Sequence, residues 1–131
     1  MPNKKVLVVD DELDFLKLMK MRLEANDYEV ITAANGKEAL DLIKFRKPDA
    51  VLLDILMPGM DGLQVLKIIR KHDKELPVFM VTAFSNMERF EAANKLGASG
   101  FIVKSNDLKK EIENITSAIM LSDKFKGQKK V

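Results

Sequence analysis

The chain contains no cysteine, which excludes a disulfide framework, thiolate chemistry and a cysteine-based zinc site. No apolar run approaches the ~18 residues that a membrane span needs. The start, Met1-Pro2-Asn3-Lys4-Lys5, leads straight into a short apolar strand, without the apolar core and cleavage site of a secretory signal. A cytoplasmic protein with no membrane contact is therefore expected. Internal repeats and low-complexity segments are absent as well. Histidine occurs once, as His72 at the polar end of a helical segment, and no chemical role is expected of it. Charge of one sign is scarce too. The formal net charge is only +2, and residues 122–131 hold four lysines against Asp123. That local +3 leaves −1 for residues 1–121, so the basic excess is in the tail, which reads as a solvated end or linker start in preference to a contact for nucleic acid or an acidic partner, and direct nucleic-acid binding by the domain is not expected.

What is present fits one compact domain. At 131 residues the chain can bury a core without staples, and 47% hydrophobic with 32% charged residues argues against wholesale disorder. Residues 1–125 read as the domain and 126–131 as a basic tail or the start of a linker. Four near-continuous apolar runs have strand length: Val6 to Val9, Ala50 to Leu53, Val78 to Val81 and Phe101 to Val103. Such runs suit strands buried on both faces of a parallel sheet. A fifth, Tyr28 to Ala33, admits Glu29 and Thr32 and reads as an edge strand.

Between the strands the apolar spacing turns helical. Leu16, Met19 and Leu23 mark the first helix, Ala39, Leu40 and Ile43 the second, and Leu63, Leu66 and Ile69 the third. Met87, Phe90, Ala93 and Leu96 mark the fourth; Leu108, Ile112, Ile115 and Ile119 mark the fifth. Asn35 with Glu38 reads as an N-cap pair, Gly97 as the close of the fourth helix and Asp107 as a cap for the fifth. Five βα units joined by short connections demand an α/β fold, with a parallel sheet, right-handed crossovers and helices on both faces.

The polar residues fall at the carboxyl ends of these strands. Asp10 and Asp11 follow the first, Asp54 ends the third, Thr82 follows the fourth and Lys104 the fifth. Open α/β sheets bind ligands outside those ends, where the strand order reverses. Three crowded carboxylates repel one another unless a cation neutralises them, and Mg²⁺ takes one or two carboxylates plus waters and phosphate oxygens. Asp11 and Asp54 can be direct ligands, Asp10 can hold a metal-bound water, and a backbone carbonyl just past Asp54 can add a third protein ligand. Mn²⁺ could substitute. Lys104 and Thr82 can hold phosphoryl oxygens on the other side. Asp54, central among these groups, can then act as a nucleophile that carries an acyl phosphate. An EF-hand reading fails because Asp14 lacks the required glycine and closing glutamate. Asp61-Gly62 reads as turn and helix-start chemistry.

The motifs Val8-Val9-Asp10-Asp11-Glu12, Asp54-Ile55-Leu56-Met57-Pro58-Gly59-Met60-Asp61-Gly62, Val81-Thr82-Ala83 and Leu96-Gly97-Ala98-Ser99-Gly100-Phe101-Ile102-Val103-Lys104 stand in this order. Together they resemble the receiver domain of bacterial two-component response regulators, from about Lys4 to Phe125. The resemblance implies a flavodoxin-like fold with strand order 2-1-3-4-5. It implies Asp54 as phospho-acceptor from a histidine kinase or histidine phosphotransfer protein, Asp10 and Asp11 as the acidic pair, and the Leu56 carbonyl on Mg²⁺. It further implies that Thr82 and Lys104 bind the phosphoryl group. Thr82 and Phe101 would form a switch that alters the surface of the fourth helix, fifth strand and fifth helix, where a downstream protein docks. Leu56 and Phe84 would tune hydrolysis. Without the resemblance, Phe101 is a strand aromatic packing on the core.

The sequence departs from the family at Ser105, where proline usually follows the lysine in a cis peptide. A non-proline cis bond costs roughly 2.5–4 kcal/mol, so a trans bond and a different loop are expected. Two rivals come from other classes. A small Mg²⁺-dependent phosphohydrolase also forms an aspartyl phosphate, but it resembles Asp-x-Asp, whereas the third position here is Glu12. An unphosphorylated receiver-like interaction module commonly loses an acidic or lysine position, and this chain keeps them all.

Overall fold

The computed structural model describes residues 4–83, 86–104, 110 and 113–119. Its elements alternate: β1 (Lys5–Val9), α1 (Leu13–Ala25), β2 (Glu29–Ala33), α2 (Gly36–Arg46), β3 (Ala50–Asp54), α3 (Gly62–His72), β4 (Val78–Thr82), α4 (Met87–Lys95) and β5 (Gly100–Val103). Residues 113–119 are helical as well. The five strands form one sheet in the order β2-β1-β3-β4-β5, and every pairing is parallel. This is the expected flavodoxin-like architecture.

Strand alternation divides the core into two layers. On one face Leu7, Val9, Val51, Leu53, Val78 and Met80 pack under α2, α3 and α4 through Ala39, Val65, Leu66, Ile69 and Ala93. On the other, Val6, Val8, Val30, Leu52, Phe79 and Val81 pack under Leu16, Met19 and Leu23 of α1 and under Ile115 and Ile119. β1, β3 and β4 are wholly or almost wholly buried, as their unbroken apolar runs require. β2 lies at one edge, as its mixed composition indicates.

Two readings of the sequence need correction. Phe101 to Val103 has the composition of an interior strand, yet β5 is the second edge: its residues are only half buried and Val103 is 45% exposed. The apolar stripe of α4 is likewise not a core stripe. Only Ala93 is buried, while Met87 and Phe90 are 69% and 48% exposed. The reason is the same for both, because among the described residues no further strand lies beyond β5 for either element to cover.

The helix ends follow their local chemistry. The Asn35 side chain accepts from the Glu38 N–H at 2.9 Å. The full reciprocal box belongs to α3, where Asp61 Oδ1 accepts from the Gln64 N–H and Gln64 Oε1 accepts from the Asp61 N–H. Gly97, at φ +89°, closes α4 in the left-handed conformation that glycine tolerates. Asp107, Leu108, Ile112, Phe84, Ser105 and the tail 126–131 lie outside the described residues. No helix among the described residues is long and apolar enough to cross a membrane.

Candidate functional site

The sheet register assembles the site. Val9 pairs with Leu53 between β1 and β3, so Asp10 and Asp54, each one residue further on, come side by side. Asp54 pairs with Val81 of β4, and Thr82 pairs with Val103 of β5. Thr82 and Lys104 therefore follow in the next two rows, and the Lys104 N–H donates to the Thr82 carbonyl at 2.7 Å. One ligand oxygen from each of Asp10, Asp11 and Asp54 lies within 4.8 Å of the others. Asp10 and Asp54 are 1% and 5% exposed, and Asp11 stands at the open rim.

Lys104 is the counter-charge. Its ammonium donates to Asp10 Oδ2 at 2.6 Å and lies 3.6 Å from Glu12 Oε1 and 3.9 Å from Asp54 Oδ2. The Glu12 N–H donates to Asp10 Oδ1 at 2.9 Å, so both Asp10 oxygens are engaged. Among the described residues, Asp54 Oδ1 receives only a long 3.4 Å contact from the Leu56 N–H. Asp11, Glu12, Asp54, Leu56, Thr82, Ala83 and Lys104 line one open cleft.

Burial, followed by the Asp10 charge, pushes the Asp54 carboxyl from its ordinary 3.8 up to about 6, against the pull of Lys104 and the Leu56 N–H. Burial also raises Asp10, opposed by the hydrogen bonds from Lys104 and the Glu12 N–H. For Lys104, burial works against the charge, but the Asp10 hydrogen bond and the surrounding carboxylates outweigh it and the net shift is upward. At 2.6 Å the Asp10–Lys104 pair is an ion pair, and removing one partner of such a buried pair costs roughly 3–5 kcal/mol. One ammonium does not balance three carboxylates. An all-oxygen donor set with surplus negative charge and an open side fits a hard divalent cation.

The loop after Asp54 is held by close backbone packing. Gly62 donates to the Ile55 carbonyl at 2.9 Å, and a Cβ at position 62 would lie 2.1 Å from the Asp54 carbonyl oxygen. Only glycine permits that approach, which docks the start of α3 directly behind the central carboxylate.

Strand alternation separates the remaining residues. Thr82, fully buried, shares its sheet face with Phe101, which packs on the core beneath α4. The Phe101 ring meets Phe90 edge-on, with centroids 5.5 Å apart and planes at 72°. Thus Asp10, Asp11, Asp54 and Lys104 come together, Thr82 and Leu56 join them in the cleft, and Phe101 stands apart under α4.

Two neighbours of the site escaped the sequence reading. Glu12 is one, 68% exposed at its side chain yet 3.6 Å from Lys104. Phe15 is the other: the Lys104 ammonium sits 4.2 Å from the centroid of its ring, a cation–π contact of ~2 kcal/mol when desolvated. The available signal was an aromatic in the first turn of the helix that follows the acidic pair.

A doubly wound parallel sheet carries an acidic cluster and a lysine at its strand ends, the place where open α/β folds bind their ligands. Residues 6–116 match the response regulator receiver domain family, and the chain belongs to it. It is thus a receiver domain of two-component signalling systems. It is 40% identical over 102 residues to the probable transcriptional regulator ycf27 of Cyanophora paradoxa, covering 78% of this chain and 42% of that protein. It is 35% identical over 108 residues to the sporulation initiation phosphotransferase F of Bacillus subtilis, covering 82% and 87%. The crystal structure of the response regulator protein TrrA from Thermotoga maritima in complex with Mg²⁺-BeF is 36% identical, with a TM-score of 0.78. That match covers 88% of this chain and 98% of that one. The chain spans 40% to 51% of the length of several transcriptional-regulator relatives.

Proposed function

We propose that this receiver domain accepts a phosphoryl group on Asp54 from the phosphohistidine of a histidine kinase or histidine phosphotransfer protein, in a reaction that requires Mg²⁺ or Mn²⁺. The observation that carries the reading is the convergence of Asp10, Asp11 and Asp54 within 4.8 Å with the Lys104 ammonium 3.9 Å from Asp54 Oδ2. The complex of TrrA with Mg²⁺-BeF supports it by likeness.

A carboxylate oxygen of Asp54 attacks phosphorus in line. The phosphorus–nitrogen bond breaks, and its electron pair returns to the imidazole of the donor. The product is a mixed anhydride between Asp54 and phosphate. Asp11, Asp54 and the Leu56 carbonyl would hold the cation, with Asp10 holding a water on it. When bound, it neutralises charge on the phosphoryl oxygens. Lys104 and the Thr82 hydroxyl bind the oxygens on the other side, and Lys104 does so without losing its own proton, since its neighbours favour the charged form.

The phosphohydrolase alternative would make Asp10 the nucleophile. Both Asp10 oxygens are already hydrogen-bonded, to Lys104 and to the Glu12 N–H, whereas Asp54 Oδ2 faces its cation at 3.9 Å. Asp54 is the freer nucleophile.

In signalling, Thr82 moving toward the phosphoryl group vacates space on the face it shares with Phe101. Phe101 then turns inward and α4 shifts, altering the surface of α4, β5 and the helical residues that follow for a downstream protein. Met87, Phe90 and Val103, all exposed, supply the apolar part of that surface.

Incubation with acetyl phosphate or phosphoramidate tests the reading. At most one phosphate per chain is expected, dependent on Mg²⁺ and absent in Asp54→Ala. Sustained multiple turnover on a phosphoester, or phosphate retained by Asp54→Ala, would overturn it.

A further inference from the structure

Among the described residues, the ammonium of Lys104 has two kinds of neighbour. Three are carboxylates, at 2.6, 3.6 and 3.9 Å. The fourth is the face of the Phe15 ring, with its centroid 4.2 Å away. Phe15 is half buried, against the core beneath α1, and is carried on the first turn of the helix that starts just after the acidic pair. The Lys104 side chain is only 11% exposed. A lysine stem has four rotatable bonds and a strongly hydrated head, so holding it in one place without water requires a partner.

The two kinds of neighbour act differently. A carboxylate neutralises the ammonium it binds, and in doing so competes with any incoming anion. An aromatic face attracts the cation through its quadrupole, carries no net charge and excludes water. Asp10 draws Lys104 toward itself; the ring stands beside the ammonium without cancelling it. Strand alternation in β5 puts Lys104 and Ile102 on the α1 side of the sheet, and Ile102 packs in the same layer as Phe15. The contact therefore follows from the fold: Lys104 reaches from the end of β5 to Asp10 at the end of β1, and Phe15 stands in the first turn of the helix that follows.

We propose that Phe15 is a positioning residue for phosphoryl transfer, its ring face holding the Lys104 ammonium beside Asp54 without adding to the neutralisation that the carboxylates impose. This rests on the phospho-acceptor reading of Asp54. No reacting atom touches Phe15, which acts only through Lys104.

The test uses the full chain with Phe15 replaced by mono-, di- and trifluorophenylalanine, which drain the ring quadrupole with little change of shape, together with Phe15→Leu and Phe15→Tyr. Two readouts are taken. The first is the rate of Asp54 phosphorylation by acetyl phosphate at saturating Mg²⁺. The second is the proton chemical shift of the Lys104 ε-methylene, which a ring face moves upfield whether or not phosphate is transferred.

The rate is expected to fall stepwise with fluorination and by about tenfold in Phe15→Leu, the equivalent of 1.36 kcal/mol of barrier, and to recover in Phe15→Tyr. The upfield shift should be present in wild type and lost in Phe15→Leu. A purely structural aromatic would leave the fluorinated series at wild-type rate, and that result overturns the proposal. So does a Lys104 methylene without an upfield shift. A wild-type chain that takes up no phosphate while showing the shift overturns the phospho-acceptor reading instead, and the positioning role falls with it.

Discussion

Lys104 donates to Asp10 across 94 positions of the sequence, at 2.6 Å, and this bond leaves Asp54 with the poorer share of the cation, at 3.9 Å. The division of one ammonium between two buried carboxylates accounts for their different states. Asp10 holds the strong hydrogen bond. Asp54 keeps a burial that Lys104 and the Leu56 N–H offset only in part, with the Asp10 charge beside it, and its carboxyl rises to about 6.

Asp54 should therefore destabilise the fold at neutral pH when divalent cations are chelated. Its folded-state value of about 6 lies above the ordinary 3.8. Between those values the folded chain keeps a proton that the unfolded chain has lost, so stability falls as pH rises through this window and the whole penalty stands above it. Asp54→Asn has no charge to bury. In urea denaturation with a chelator it should exceed wild type by on the order of 2 kcal/mol at pH 8, with the difference gone near pH 4. Equal stability at pH 8 would contradict the assignment.

Gly62→Ala should be far more costly than a usual glycine-to-alanine change at a helix start. The new methyl would fall 2.1 Å from the Asp54 carbonyl oxygen, against backbone that cannot step aside. A loss of roughly 2–4 kcal/mol is expected, together with slower phosphorylation because the Asp54 backbone must shift. Denaturant unfolding and acetyl phosphate uptake measure the two; a change below 0.5 kcal/mol would show that α3 is free to back away.

The aspartyl phosphate should be long-lived for its class. Leu56, 41% exposed, lines the cleft beside Asp54, and neither it nor Phe84 can orient a water by hydrogen bonding. Leu56→Asn and Phe84→Glu should each speed phosphate loss by about tenfold, a barrier change of ~1.4 kcal/mol. The double variant should be fastest. Loss of labelled phosphate after removal of the donor gives the rates, and unchanged rates in both single variants would dismiss the idea.

The Phe101–Phe90 contact should be remodelled when the site is filled. With Mg²⁺ and beryllofluoride, Phe101 is expected to leave the edge-on arrangement at 5.5 Å and α4 to shift. Paired crystal structures check this directly. An identical Phe101 rotamer and an unmoved α4 would remove the switch.

The sequence by itself determined the alternation of strands and helices and the seats of Asp10, Asp11, Asp54, Thr82 and Lys104 at strand ends. These are local properties: unbroken apolar runs mark strands covered on both faces, 3.6-residue spacing marks helices, and a polar residue closing an apolar run is visible one position at a time. The cap at Asn35 and the glycine closing α4 were legible for the same reason. What the tertiary structure decided is everything that depends on who lies beside whom. β5 has the composition of an interior strand and is an edge, because no further strand among the described residues pairs with it, and α4 leaves Met87 and Phe90 exposed for want of a surface to cover. Composition does not record that neighbour. The parallel register brought Lys104 to Asp10, and α1 crossing the same face brought Phe15 over the ammonium; neither meeting has a trace in local spacing, because both partners acquire their distance only when the sheet closes the chain upon itself.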